Sequence, residues 1–210
     1  MGQIILASAS PRRKELLEQI GLEFEICPAK GEEVITTSVP EDVVQELSKQ
    51  KAQEVATMVN CYGEQHAELM TPQDILVIGA DTIVASEGKI LGKPKDEEDA
   101  FRMLSSLAGK MHSVYTGVTL FFLSKNGKAG AHTFFEKTDV YMKEMSEVEI
   151  NRYIATGDPM DKAGSYGIQG GAALFCERMA GDYYNVMGLP VCRLGQVLQR
   201  IAPEMMEDTL

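Results

Sequence analysis

The sequence predicts an α/β fold in which helices cover the faces of a sheet of mixed strand direction. Strand and helix patterns follow one another in the order β-α-β-α-β-β-α-β-β-α-β-α. Ile75–Ser86 is an almost continuous apolar run, which is typical of a strand that is covered on both faces. Asn126 and Gly127 separate two long strand-like runs, and this pair favours the tight turn of an antiparallel hairpin.

The elements of the first half follow from the periodicity of their apolar residues. After Pro40, apolar residues recur at helical spacing, with acids first and lysines later, as the helix dipole favours. Asn60–Asp74 is polar and is expected to be a surface connection. Leu22–Cys27 alternates apolar and acidic side chains, which predicts a strand with one solvated face. A short buried strand is predicted at Gln3–Ala7, before a helix that begins at Pro11 with Ser10 as its N-cap.

The elements of the second half have clear start and stop signals. The helix Asp96–Gly109 has an acidic start and a terminal glycine, and Ser146 and Glu149 form a capping-box pattern at the start of the next helix. The other predicted elements are hairpin strands at 112–124 and 130–142, a glycine-rich loop at 157–171, a strand at 172–181 and a closing helix at 190–201. Residues 1–202 are expected to form one domain, followed by a frayed acidic tail at 203–210.

The composition narrows the class of protein. The chain has 210 residues, of which 44% are hydrophobic, and this is enough for a sizeable core. A formal net charge of −11 does not suit a sequence-independent binder of nucleic-acid polymers, but it allows a small phosphorylated ligand. Four scattered cysteines and three histidines argue against a zinc site. Without a signal-peptide pattern or an apolar run of the ~18 residues that a membrane span needs, the sequence predicts a reduced cytoplasmic protein.

Asp81 stands inside the predicted strand Ile75–Ser86. A carboxylate there costs desolvation free energy unless a cation, a metal ion or hydrogen-bond donors compensate it. Because the apolar residues Ile83 and Val84 continue the strand, a simple strand-end role is disfavoured. Asp81 is therefore a candidate functional carboxylate.

Two glycine-containing loops supply further candidates. "GKILGKP" is not a phosphate-binding P-loop, because its glycine spacing is one residue short and Pro94 stands where a Ser or Thr would bind Mg²⁺. Its Lys93, taken alone, is typical of a solvated turn. "DKAGSYGIQGG" is not a dinucleotide-binding motif, but a glycine-rich backbone can approach a ligand closely. Gln169 in this loop offers both a donor and an acceptor to an imide edge.

Arg12 and Arg13 are unexpected in the first turn of a helix, where free N–H groups and the macrodipole favour anions. A phosphate chain bound beside Ser8 and Ser10 would neutralise both arginines.

Lys51, Glu32 and Glu33 are each explained, when taken singly, by a solvated helix face or turn. Combined, the candidates form a set of cations for phosphates, namely Arg12, Arg13, Lys51 and Lys93, and a pair of carboxylates for a divalent cation, Glu33 and Asp81. The set indicates hydrolysis of a phosphate ester or a phosphoanhydride.

The motifs that carry these residues resemble those of the Maf family of nucleoside triphosphate pyrophosphatases. The matching pieces, in the family's order from Leu6 to Pro190, are "LASASPRRKELL", "GEE", "KQKA", "IGADT", "GKP", "HSVYTGV", "DKAGSYGIQG" and "GDYYNVMGLP". The resemblance implies an elongated mixed sheet flanked by helices, with two lobes and a central cleft, similar to inosine triphosphate pyrophosphatase. It also implies cleavage between the α and β phosphates, which gives a nucleoside monophosphate and pyrophosphate, with a divalent metal cation, Mg²⁺ or Mn²⁺.

The resemblance also implies roles for individual residues. Asp81 would be the general base that activates water, and Glu33 would hold the metal with Asp81, with the neighbouring Glu32 as the alternative. Arg12, Thr82 and Gln169 are similar to the specificity positions of the branch that acts on dTTP and UTP, or on modified pyrimidine nucleotides. The implied substrate-binding residues are Ser8, Arg12, Arg13, Lys51, Thr82, Lys93 and Gln169.

Two other functions stay open at this point. The first is a non-catalytic nucleotide-sensing regulator of cell division, because the Maf family is also linked with inhibition of septum formation. A generic phosphatase would release orthophosphate instead of pyrophosphate. The expected partner is a small-molecule nucleotide, with neither a nucleic-acid polymer nor a membrane, and the resemblance suggests a homodimer.

Overall fold

The computed structural model describes residues 2–65 and 74–206 and confirms the mixed α/β architecture. The strands are β1 (Gln3–Leu6), β2 (Glu25–Ile26), β3 (Ile75–Ser86), β4 (Lys89–Leu91), β5 (Met111–Leu123), β6 (Ala129–Met142) and β7 (Cys176–Ala180). The helices are α1 (Pro11–Gln19), α2 (Pro40–Gln65), α3 (Glu97–Leu107), α4 (Glu147–Ile154), α5 (Tyr183–Met187) and α6 (Val191–Ile201). Short 3₁₀ turns lie at Asp158–Asp161, Ala163–Ser165, Gly171–Leu174 and Pro203–Met205.

The strands form one mixed sheet in the order β2-β1-β3-β5-β6-β7, with β4 paired to β3. β1 is parallel to both β2 and β3, whereas β4 is antiparallel to β3 and β7 is antiparallel to β6. Among the helices described, none is long and apolar enough to cross a membrane.

The chain divides into two compact units, in accord with the two lobes that the family resemblance implies. Unit 1 consists of Met1–Asp81, Gly117–Phe135 and Gly188–Leu210, and unit 2 of Thr82–Thr116 and Glu136–Met187. Each unit has its own apolar core. In unit 1, a buried cluster consists of Ile5, Ala7, Ala52, Val55, Ala56 and Val77. In unit 2, the buried cluster includes Leu104 and Leu107 of α3, Ile150 and Ile154 of α4, and Val140 of β6.

Two glycines let α2 lie directly against the sheet in unit 1. A Cβ atom at Gly79 of β3 would collide with the main-chain oxygen of Ser48, and one at Gly117 of β5 would collide with the main-chain oxygen of Val44. Glycine is therefore required at both positions. The close approach at Ser48 also places Lys51, one helical turn further along α2, beside β3.

The start signals of α3 and α4 and the turn signal between β5 and β6 are confirmed. Asp96 caps α3 by accepting a hydrogen bond from the Asp99 N–H at 2.8 Å. Ser146 and Glu149 form the predicted capping box of α4. Gly127, between β5 and β6, has a φ of 77°, a conformation that favours glycine.

Parts of the first half and of the C-terminus differ from the prediction, and other parts lie outside the residues that the structure describes. α2 continues through Asn60–Gln65, so these residues are helical rather than part of a connection, and residues 66–73 lie outside the described residues. The polar sequence of Asn60–Gln65 suits the end of a helix as well as a loop. The predicted strand Leu22–Cys27 is reduced to Glu25–Ile26, which is exposed and pairs with β1. Of the predicted tail, Pro203–Met205 is a 3₁₀ turn, and residues 207–210 lie outside the described residues.

The second half differs from the prediction around β7. The predicted strand 172–181 begins as the 3₁₀ turn Gly171–Leu174, and only Cys176–Ala180 is extended. The short helix α5 is not predicted, because five residues are too few for a periodic pattern.

Candidate active site

The carboxyl end of β1 forms an edge beside β3, which continues past Ile78 to Ser86. The two strands are parallel, with Leu6 opposite Ile78, and the Ala7 N–H donates to the main-chain oxygen of Ile78 at 2.8 Å. Beyond this point the chain turns into α1, which begins at Pro11. Ligands of open α/β sheets bind beyond the carboxyl ends of parallel strands, so this edge is a candidate binding site.

Ser8 organises the loop between β1 and α1. Its hydroxyl oxygen accepts hydrogen bonds from the Ser10 N–H at 3.2 Å and from Nη1 of Arg13 at 3.1 Å. Ser10 occupies the N-cap position as predicted, although among the described residues its side chain makes no capping hydrogen bond. Nε of Arg13 donates to the main-chain oxygen of Gly188 at 2.8 Å, so the guanidinium is fixed on two sides.

Arg13 keeps a positive charge at this edge. Burial lowers the pKa of its guanidinium, the carboxylate of Asp81 opposes that shift, the neighbouring Arg12 adds to it, and Glu33 opposes it. A guanidinium stays protonated in proteins even with a lowered pKa. Arg12 and Arg13 therefore place two cations at the start of α1, as the sequence predicts.

Lys51 of α2 joins two carboxylates from different parts of unit 1. Its Nζ forms a salt bridge with Oδ1 of Asp81 and lies 2.9 Å from Oε1 of Glu33. The side chains of Lys51 and Asp81 are only 19% and 13% exposed, whereas that of Glu33 is 51% exposed. The carboxylate that the sequence places inside an apolar strand is thus compensated by a half-buried cation, as its desolvation requires.

The structure distinguishes the two neighbouring glutamates. Glu33 contacts Lys51, so it belongs to the cluster with Asp81. Glu32 is exposed, in line with a solvated turn. The unit 1 cluster therefore contains Ser8, Arg12, Arg13, Glu33, Lys51 and Asp81.

The other three predicted site residues belong to unit 2. Thr82 follows Asp81 on β3, and its hydroxyl lies 2.9 Å from that of Thr116 on β5. Lys93 is exposed in the turn that follows β4. Gln169 is exposed in the glycine-rich loop.

The turn that carries Lys93 is bonded to the loop that carries Gln169. The main-chain oxygen of Gly92 accepts a hydrogen bond from the Gly164 N–H at 3.0 Å. Gly164 has a φ of 68°, and a Cβ atom there would meet Val84, so the loop depends on glycine at this position. The two motifs that sequence analysis treats separately are therefore one structural unit.

Sequence reasoning missed the buried groups that support this loop. The hydroxyl of Tyr166 lies 2.7 Å from Nε2 of His112, and burial lowers the pKa of His112 to about 4. The hydroxyl of Tyr153 donates to Asp158 at 2.6 Å and accepts from the Gly167 N–H at 3.0 Å. His112 and Tyr166 both lie in motifs quoted above, but no local spacing indicates that residues so far apart form a pair.

Comparison with known proteins decides the family. A family described as "Maf-like protein" matches residues 3–201, nearly the whole chain. The chain belongs to the Maf-like family. The resemblance seen in the sequence is thereby confirmed.

Relatives of this Maf-like chain carry a consistent name. This chain is 69% identical over 201 residues to a protein of Agathobacter rectalis named dTTP/UTP pyrophosphatase, with 96% of this chain and 98% of the relative covered. It is 42% identical over 208 residues to a protein of Lachnoclostridium phytofermentans with the same name, with 99% and 100% covered. The solved structure of a HAM1 protein from Coxiella burnetii has a TM-score of 0.50 at 14% identity, covering 95% of this chain and 100% of that one, and this likeness concerns the fold alone.

Proposed function

We propose that this chain hydrolyses dTTP and UTP to the nucleoside monophosphate and pyrophosphate. The observation that carries the proposal is the unit 1 cluster, in which Arg13 is bonded to Ser8 and Lys51 joins Asp81 to Glu33. Hydrolysis of a phosphoanhydride needs cations that neutralise the phosphate charge and a fixed carboxylate that orients water. The substrate follows from the relatives at 69% and 42% identity, which are both named dTTP/UTP pyrophosphatase.

The start of α1 is suited to the phosphate chain. A helix start presents free N–H groups to an anion, and α1 has Pro11 at its first turn, whose missing N–H costs nothing there. The fork of Arg13 can bind two phosphate oxygens at once. In this proposal Ser8, Arg12, Arg13 and Lys51 bind the phosphates, and Lys93 adds a further cation.

Asp81 acts as the general base of the proposed reaction. An ionised carboxylate only accepts hydrogen bonds, so Asp81 can orient a water molecule and take its proton. Oxygen of that water forms a bond to the α phosphorus, the bond from this phosphorus to the bridging oxygen breaks, and pyrophosphate leaves with the electron pair. Lys51 holds the carboxylate of Asp81 in one orientation during this step.

Glu33 and Asp81 fit a divalent cation of the Mg²⁺ or Mn²⁺ type. Both offer hard oxygen ligands, and both already face one positive charge, that of Lys51. Within the described residues, no group of three or more His, Cys, Asp and Glu side chains is arranged to hold a metal ion. Mg²⁺ is commonly held by one or two carboxylates together with substrate phosphates, so a pair suffices for a cation that binds with the nucleotide. Such a cation would neutralise phosphate charge and favour ionisation of its bound water.

Arg12, Thr82 and Gln169 account for base choice in the proposal. An amide such as that of Gln169 matches the donor and the acceptors of the thymine or uracil imide edge. A site built for such hydrogen bonds rejects bases that leave its groups unpaired.

The experiment that tests the proposal is a panel of nucleoside triphosphates assayed with Mg²⁺ and with Mn²⁺, with the products identified. We expect pyrophosphate and a monophosphate from dTTP and UTP, at rates well above those for purine nucleotides. Release of orthophosphate would identify a generic phosphatase. Tight binding of dTTP without turnover would identify the nucleotide sensor. The homodimer stays a prediction that size-exclusion chromatography with light scattering checks.

A further inference from the structure

The segment that carries Glu33 has no regular secondary structure of its own. Residues 30–36, here called the Glu33 segment, follow β2 and precede α2. Val34 and Ile35 of this segment turn their side chains outward, where they are 55% and 53% exposed. Apolar burial therefore contributes little to holding the Glu33 segment in place.

Three side chains of α2 hold the main chain of the Glu33 segment. They are Glu54, Gln50 and Glu46, which are spaced four residues apart and so lie on one face of the helix. We call this row the α2 ladder. The segment runs antiparallel to the ladder, because its residues 30, 34 and 36 meet Glu54, Gln50 and Glu46 in that order.

Glu54 binds the first two residues of the Glu33 segment through their main-chain N–H groups. Glu54 accepts hydrogen bonds from the N–H groups of Lys30 at 2.8 Å and Gly31 at 3.0 Å. A Cβ atom at Gly31 would lie 2.8 Å from a carboxylate oxygen of Glu54, so glycine permits this close approach.

Gln50 makes the central and most informative contact. Its Oε1 accepts from the Val34 N–H at 3.0 Å, and its Nε2 donates to the Val34 main-chain oxygen at 2.5 Å. An amide can make this pair of bonds, as a neighbouring strand would, and a carboxylate cannot.

Glu46 completes the ladder at Thr36. Its carboxylate accepts from the Thr36 N–H at 3.0 Å and from the Thr36 hydroxyl at 2.5 Å. One turn of helix and two residues of extended chain both span about 6 Å, so the steps from Gln50 to Glu46 and from Val34 to Thr36 match.

Glu33 lies inside the region that the α2 ladder fixes. Its neighbour Val34 is bonded to Gln50, and Gln50 precedes Lys51 on α2. Lys51 in turn contacts Glu33 at 2.9 Å and Asp81. We infer that Glu46, Gln50 and Glu54 are positioning residues, which set the Glu33 carboxylate against Lys51 and Asp81. The geometry stands without the proposed function, but the catalytic consequence rests on it.

The kinetic test uses Gln50→Glu with a matched control, Gln53→Glu. Gln50→Glu keeps the shape of the side chain, but it removes the donor to Val34 and turns a carboxylate oxygen toward a carbonyl oxygen. Gln53 is exposed on the same helix and outside the ladder, so its substitution makes the same change of charge without touching the segment. We expect Gln50→Glu to lower kcat/KM for dTTP by about 5- to 30-fold, as loss of one to two hydrogen bonds would. The Mn²⁺ concentration for half-maximal rate should rise with it, and Gln53→Glu should change neither value.

A second measurement follows the segment without using activity. The chain contains no tryptophan, so Ile35→Trp places a single fluorophore on the exposed side of the segment. In this background Gln50→Glu and Glu54→Gln should lower the tryptophan anisotropy and raise quenching by neutral acrylamide, whereas Gln53→Glu should not. Far-UV circular dichroism checks that each variant is folded. If Gln50→Glu is unfolded, Glu54→Gln replaces it in the fluorescence measurement.

The outcomes separate the two proposals. If the parent chain releases no pyrophosphate, the proposed function fails while the fluorescence still tests the ladder. If Gln50→Glu and Gln53→Glu behave alike in fluorescence, the ladder does not hold the segment. If Gln50→Glu and Glu54→Gln loosen the segment but leave kcat/KM and the Mn²⁺ dependence unchanged, the positioning role is overturned.

Discussion

Asp81→Asn is the most informative single change at the candidate site. Asn keeps the shape of the side chain and one carbonyl-type oxygen, but it removes the negative charge and the ability to take a proton from water. The side chain of Asp81 is only 13% exposed and is paired with Lys51, so an Asn of the same shape should occupy the same position.

The expected loss of activity is large and the expected loss of stability is small. A positioned general base typically contributes 10²–10⁴-fold, so we expect kcat for dTTP to fall by about that factor. Removing one partner of a buried ion pair costs roughly 3–5 kcal/mol when the other charge is left uncompensated. In Asp81→Asn the charge of Lys51 stays compensated, because Oε1 of Glu33 remains 2.9 Å from its Nζ. We therefore expect the free energy of unfolding to fall by only about 1 kcal/mol.

The assay compares pyrophosphate release, calorimetric binding of dTTP and urea unfolding for the parent and the variant. Asp42→Asn is the matched control, since Asp42 is exposed in the first turn of α2. Pyrophosphate release by Asp81→Asn at the parental rate would refute the role of Asp81 as the base. Loss of several kcal/mol of stability would refute the compensation of Lys51 by Glu33.

Three further predictions concern other parts of the chain. Gln169→Ala should reduce the preference for UTP over CTP, measured as a ratio of kcat/KM values, by at least about tenfold and more than it reduces UTP turnover; equal losses on every nucleotide would contradict its role in base choice. Arg13→Lys should lose the bonds to Ser8 and Gly188 and weaken dTTP binding by about tenfold in calorimetry, because an ammonium lacks the guanidinium fork; unchanged affinity would place the triphosphate elsewhere. Burial of His112 holds its pKa at about 4, below the ordinary 6.5, so the unfolded chain binds an extra proton between these values. The free energy of unfolding should therefore fall, by up to roughly 3 kcal/mol, as the pH drops from 6.5 to 4, and urea unfolding should show a flatter dependence in His112→Gln.

The elements that could be predicted are those whose signals lie within a few residues. Ser10 with Pro11, Ser146 with Glu149, and Asn126 with Gly127 each mark an end or a turn of an element through local hydrogen bonding or backbone geometry. The end of α2 could not be placed this way, because the polar residues at 60–65 suit both a helix end and a loop.

The sequence indicates candidate residues for the site but not the contacts between them. Taken singly, Lys51 is typical of a solvated helix face, and the structure shows that this interpretation is wrong, since its side chain is 19% exposed. Its partner Asp81 lies 30 positions away, and the two meet because Gly79 lets α2 approach β3. The residue roles came from the resemblance to the Maf family, and they stay predictions until the variants are assayed.

The arginines at the start of α1 are balanced within the chain as well as by the proposed ligand. The first turn of α1 contains no acid, so from the sequence only a bound phosphate would compensate Arg12 and Arg13. In the structure, the carboxylates of Asp81 and Glu33 raise the pKa of Arg13 against the effect of burial, and they also pair with Lys51. Asp81 and Glu33 thus act on two cations, Arg13 and Lys51, which the phosphate chain of the proposed substrate would also face. Because Asp81→Asn removes a negative charge beside Arg13 and Lys51, the variant should bind dTTP at least as tightly as the parent while it loses turnover, and weaker binding would show that Asp81 helps to hold the nucleotide.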